Sequence, residues 1–223
     1  MIDVFSSVVL SGVLGAQLVL TLVLLKGDIC PGQRGRLHKV FWFLVAGWGV
    51  ITPIYPFAAL PFISLGIFSL RSKTGKTKLS GPIPVLHLSN AFGVLALVVA
   101  MAQSGLALSL LMVLQVVLVG AATAHVLLIR ARSRLQAFHR ILPVAGLVSA
   151  MLMAAVLAVF GSANVTGAVI QYIVGCMGLV LVGTLIWASH LFRQAAPSLL
   201  QVMAAFACIF GASSVAIASM TAI

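Results

Sequence analysis

The chain has 223 residues, of which 62% are hydrophobic and only 7% charged, at a mean hydropathy of +1.25. A soluble domain carries about 25% charged residues, so this composition excludes a soluble globular fold and implies an integral membrane protein. Thirteen Lys and Arg face two acids, Asp3 and Asp28, for a net charge of +11; confined to short loops between apolar runs, that charge points to membrane orientation and anionic lipid headgroups, and not to nucleic acid.

Eight apolar segments follow one another, at 4–25, 38–55, 56–70, 84–103, 105–129, 139–160, 166–189 and 197–220. A helix rises about 1.5 Å per residue and needs roughly 20 apolar residues to cross a hydrocarbon core of about 30 Å. The expected fold is therefore an all-α integral membrane protein with about eight transmembrane helices. The N-terminus Met-Ile-Asp-Val-Phe has no basic n-region and no A-x-A-like site after its apolar run, so the first segment reads as a retained helix and not as a cleaved signal. Segment three is short and carries Pro56 and Pro61, the pattern of a broken or tilted helix packed inside the bundle.

The loop charges set the count. Lys26, Arg34, Arg36 and Lys39 follow segment one, and Arg71, Lys73, Lys76 and Lys78 follow segment three. Arg130, Arg132, Arg134 and Arg140 fill the turn between segments five and six, and Arg193 lies in the last loop. Eight crossings put all thirteen on one side, and the turns on the other side, at 52–56, 103–105 and 161–166, carry none. Seven crossings would split them. The positive-inside rule selects eight, in the inner (cytoplasmic) membrane, with basic loops cytoplasmic and both termini on the non-cytoplasmic side. Trp42 and Trp187, beside the basic loops, fit an interfacial aromatic belt.

The central basic turn follows four segments and precedes four, which divides one membrane domain into halves 1–103 and 104–223. Arg36-Leu-His38-Lys39 opens segment two, and Arg134-Leu135 with His139-Arg140 opens segment six, 101 residues later. An even number of spans per half makes such repeats parallel, related by an axis along the membrane normal. Two rows of small residues at i+4 spacing, Gly146, Ala150, Ala154 and Ala158 on segment six and Ala204, Cys208, Ala212 and Ala216 on segment eight, predict close helix crossings or a face for a partner subunit.

Several familiar sites are missing. Ser72-Lys-Thr-Gly75-Lys76-Thr77 has Leu70 where a phosphate loop needs its first glycine, and no strand precedes it. No CxxC, HExxH or GxSxG occurs, the three cysteines have no paired spacing, and no span holds a carboxylate for a proton or sodium relay. Asn164-Val-Thr166 fits a glycosylation sequon at about the level of chance. What remains is histidine. All five lie in or beside the basic loops, hence in one third of the membrane. Neutral imidazole ligates haem iron or a transition metal, and helical bundles build such sites from facing side chains. His38, His87, His125 and His139 are the expected ligands, while His190, last on its helix, is expected to face headgroups. The plainer alternative is that interfacial histidines bond only headgroups and helix ends.

Arg36-Leu-His38-Lys39 and Phe138-His139-Arg140 resemble the Leu-His-Arg helix openings of an uncharacterised family of bacterial four-helix membrane proteins. More distantly they resemble the diheme transmembrane cytochromes of the ascorbate-reducible type, whose helix histidines ligate b-haem. That resemblance implies a haem b electron-transfer protein exchanging electrons with a quinone, its loop arginines holding haem propionates. Two further classes fit the same residues: a non-catalytic subunit docking protein partners, or a second copy of itself, through its small-residue rows and basic face, and a carrier for a small apolar or anionic molecule. The topology is checked by a Ser133→Cys variant, expected to react with a membrane-impermeant maleimide only from the cytoplasmic side; labelling from outside would overturn the eight-span reading.

Overall fold

The computed structural model describes residues 3–132, 135–162, 167–193 and 195–221. Its regular elements there are all helical: α1 (Val4–Lys26), α2 (Pro31–Ile51), a 3-10 turn (Pro56–Ala58) leading into α3 (Ala59–Arg71), α4 (Ile83–Ala102), α5 (Leu106–Arg130), α6 (Gln136–Gly161), α7 (Gly167–Phe192) and α8 (Leu199–Thr221). Six of them, α1 and α4 to α8, are long and apolar enough to cross a membrane. The apolar unit Pro56–Arg71 is shorter; as a helix α3 alone reaches about 20 Å. Arg134, Ser133 and the sequon Asn164–Thr166 lie outside the described residues.

Local chemistry sets the helix ends. Asp3 caps α1, its Oδ1 accepting from the Ser6 N–H at 2.6 Å. Helix α2 begins well before the apolar run, at Pro31, whose fixed φ suits a first helical position. The Gln33 side chain accepts from the Cys30 N–H at 3.3 Å, so Arg34, Arg36 and Lys39 ride on the helix and not in a loop. Gly81, at φ +79°, turns the α3–α4 connection into α4 through a conformation that a Cβ would strain.

Helices α1 to α4 pack as a ring, each against its chain neighbour and α1 against α4; α5 to α8 repeat that order of neighbours. The rings meet where α1 crosses α5, flanked by α1 against α8 and α5 against α4. At the crossing the backbones touch. A Cβ on Gly15 would overlap the Val116 carbonyl oxygen, and one on Gly120 would lie 2.5 Å from the Gly15 Cα. Lipid tails are as apolar as Leu, so helices associate by close packing, and glycine permits the closest. This crossing, which places α1 at the centre, is tighter than the rows expected on segments six and eight. In those rows Gly146, Ala150, Ala212 and Ala216 are buried, but Ala154 is only half-buried and Ala158 and Ala204 are exposed, because each row turns away from its neighbour along its helix.

The connections α1–α2, α3–α4, α5–α6 and α7–α8 gather at one end of the bundle. Arg36 Nε donates to the Ala131 carbonyl at 2.8 Å, the Arg34 guanidinium donates to the Lys78 carbonyl, and the Thr77 N–H donates to Pro31 O at 3.1 Å. Gly35 has no Cβ because the Gly75 carbonyl occupies its place. The described basic residues of these connections thus share an end. Trp42 is exposed, as an aromatic belt requires, whereas Trp187 is 1% exposed and belongs to the interior.

Gly15→Val is expected to cost at least about 1–3 kcal/mol or to prevent folding, since the added carbons meet backbone. Ala212→Leu should destabilise comparably, and Ala158→Leu little. Melting temperature in detergent, with size-exclusion profiles, checks the order.

Candidate functional site

Three helix ends converge at the basic pole. His125 lies one turn before the end of α5, His139 in the first turn of α6, and Trp187 and His190, three residues apart, on one face of the last turns of α7. Residues at i and i+3 share a helix face. The absence of a side chain at Gly146 on α6 makes room for the Trp187 ring, which a Cβ there would overlap.

In the resulting hydrogen-bonded cluster His125, Trp187 and His190 are buried and His139 is half-buried. Trp187 Nε1 donates to His125 Nδ1 at 2.7 Å, and His125 Nε2 lies 2.9 Å from His139 Nδ1. Indole N–H only donates, so His125 Nδ1 carries a lone pair, and the proton of the neutral ring sits on Nε2. His139 Nδ1 must then accept, leaving the proton of that neutral ring on Nε2. The order Trp187, His125, His139 runs donor to acceptor without a break.

His190 closes the cluster. Its Nδ1 is 2.6 Å from Trp187 O and its Nε2 3.0 Å from His139 O. The second contact has a cause in the sequence. Pro143 sits inside α6, four residues after His139, and lacks the N–H that would otherwise bond the His139 carbonyl. In a bilayer each such carbonyl needs another donor, and His190 supplies it. Its ring is 4% exposed, so the expectation that it faces headgroups is corrected.

The four histidines expected as ligands separate. His125 and His139 come together. His38, 1% exposed on α2, packs edge-on against Phe68 with Nδ1 2.7 Å from Lys73 O and Nε2 without a partner. His87 lies on the exposed face of α4. Two nitrogens that share a metal stand roughly 3–4 Å apart, given bonds near 2 Å; the His125–His139 pair is closed by a direct hydrogen bond at 2.9 Å. Among the described residues no group of three His, Cys, Asp or Glu is placed to hold a metal ion. In this arrangement the four histidines do not form one ligand set.

A half-open cleft of about 790 Å³ borders the cluster, between the ends of α5, α6 and α7 and the segment leading to α8. Gln136, His139, Arg140 and His190 give it a polar wall; Ile129, Val144, Leu191 and Pro197 give it an apolar one. A smaller cleft of about 580 Å³ lies by Asp28, Cys30 and Arg36, where the Gln33 backbone N–H holds the exposed Cys30 thiol below its ordinary range.

The first half holds a different buried network. Trp48 Nε1 donates to Gln17 Oε1 at 2.7 Å, and Gln17 Nε2 donates to Ser89 Oγ at 3.0 Å and Asn90 Oδ1 at 2.8 Å. Both amide hydrogens and the carbonyl are engaged, so this network ties α1, α2 and α4 together. Trp187, Pro143 and Gln136 were not foreseen as site residues. The signals available were Pro143 four residues after His139 and the Trp187-x-x-His190 spacing.

Trp187→Phe is expected to cost about 1–3 kcal/mol by leaving His125 Nδ1 buried without a donor. Adding His125→Leu should recover part of that loss. Unfolding of the single and double variants measures the coupling; strict additivity would remove the bond from the account.

A family model described as an integral membrane domain matches residues 3–220. A protein of Haemophilus influenzae (strain ATCC 51907 / DSM 11121 / KW20 / Rd), itself uncharacterised, is 56% identical over 39 residues, which cover 18% of this chain and 15% of that protein. No solved structure matches the chain.

Proposed function

We propose, from the premise that the chain belongs to this integral membrane domain family, that the cleft at the basic end binds a small amphiphile taken from the membrane surface. The protein acts as its carrier or binding protein. One observation carries this reading: a single cleft joins a polar wall of Gln136, His139, Arg140 and His190 to an apolar wall of Ile129, Val144, Leu191 and Pro197. Its volume of about 790 Å³ lies in the range of small-molecule sites, roughly 300–1,000 Å³.

The membrane setting is part of the proposal. The gathered basic residues orient that end to the cytoplasm and both termini away from it, in the inner membrane, so the cleft opens at headgroup depth. The two rings are read as copies of one four-helix unit, divided at about residue 103. One observation supports this: the shared order of neighbours in the two rings.

Val144→Trp and Ala196→Trp fill the cleft from exposed positions. Native mass spectrometry of the purified chain is expected to show a co-purified amphiphile that both variants lose, at an unchanged melting temperature. The same bound mass and occupancy in wild type and variants would sink the proposal.

A further inference from the structure

We infer that His190 is held as a doubly protonated imidazolium and, with Arg140, makes the polar wall of the cleft a receptor for an anionic head group, a phosphate or a carboxylate. This rests on the amphiphile reading of the same cleft and specifies its ligand. A carbonyl oxygen only accepts. His190 presents Nδ1 to Trp187 O at 2.6 Å and Nε2 to His139 O at 3.0 Å. A neutral ring has one N–H, and its other nitrogen would set a lone pair against a carbonyl oxygen at contact distance. Both bonds exist together only when both nitrogens carry protons. With the ring 4% exposed, water has little room to replace either partner, and the His139 carbonyl has lost its helical donor to Pro143.

The surroundings agree with the charge. His190 lies in the last turn of α7, where the unpaired carbonyls of a helix end favour a cation. The His125 ring has its centroid 5.7 Å away and is neutral in the donor order from Trp187. Of the two acids in the sequence, Asp3 caps α1 and Asp28 borders the other cleft. The cleft wall therefore carries the Arg140 guanidinium and the His190 imidazolium, both at the basic pole. A buried cation without a counter-ion is costly, and two cations on one wall repel; an anion between them relieves both. The first turn of α6, which supplies Gln136, His139 and Arg140, adds the positive end of its dipole.

The test uses the full chain in a neutral detergent, titrated calorimetrically with dihexanoyl phosphatidic acid, dihexanoylglycerol and inorganic phosphate. Phosphatidic acid is expected to bind at least tenfold more tightly than dihexanoylglycerol. His190→Gln and Arg140→Gln should each weaken it at least tenfold, and by a larger factor than they change dihexanoylglycerol binding. Equal binding of the two lipids would overturn the anion receptor while the amphiphile reading stands. Phosphate binding without either lipid would support the receptor, assign it to a free anion, and sink the amphiphile reading; binding of none would sink both. Nitrogen-15 NMR of histidine-labelled wild type decides the ring itself, independently of how the variants fold. Two protonated-type signals for His190 are expected, and one unprotonated nitrogen would overturn the imidazolium.

Discussion

Where α1 crosses α5 the two backbones lie in contact at Gly15 and Gly120, and the packing of the protein follows from that contact. No hydrophobic force draws one helix to another in a bilayer, since lipid solvates both as well as they solvate each other. Association needs close atomic contact, and here two glycines remove the side chains that would hold the helices apart. The crossing sinks α1 into the centre and brings α5 against helices of both rings. Helix α5 then stands where His125 can reach α6 on one side and α7 on the other.

A second constraint shapes the polar interior. With no water in the hydrocarbon, a buried donor or acceptor is costly unless it finds a partner in the protein. In the first ring one amide, Gln17, collects three partners from α2 and α4. In the second ring the same need is met by rings and carbonyls at a helix end, next to an opening. The first solution is closed and holds helices together. The second lies against a cleft wide enough for a ligand, which makes it the functional candidate of the two.

The spans and the segregation of charge were legible because hydropathy and loop charge depend on composition along the chain. The shortness of α3 was legible from its prolines. The direction of individual side chains was not. His87 and His125 lie at similar depth by counting residues, yet one is exposed and the other fully buried, since each residue turns a helix by about 100° and packing sets the rotation. Trp187 sits at the depth of an aromatic belt, but the gap at Gly146 draws it inward. The expected set of four histidine ligands divides for the same reason. It grouped histidines by depth, and the structure selects them by direction, taking in His190 and leaving out His38 and His87.

The Pro143–His190 contact also bears on how such a chain could vary over generations. A substitution of Pro143 by any other residue would restore a helical N–H to the His139 carbonyl and release His190 from one of its two acceptors. Loss of His190 alone would strand that carbonyl in the interior. Neither change is neutral by itself, so related chains are expected to keep the two residues together or to lose them together, as a single heritable unit formed by positions 47 residues apart in the sequence.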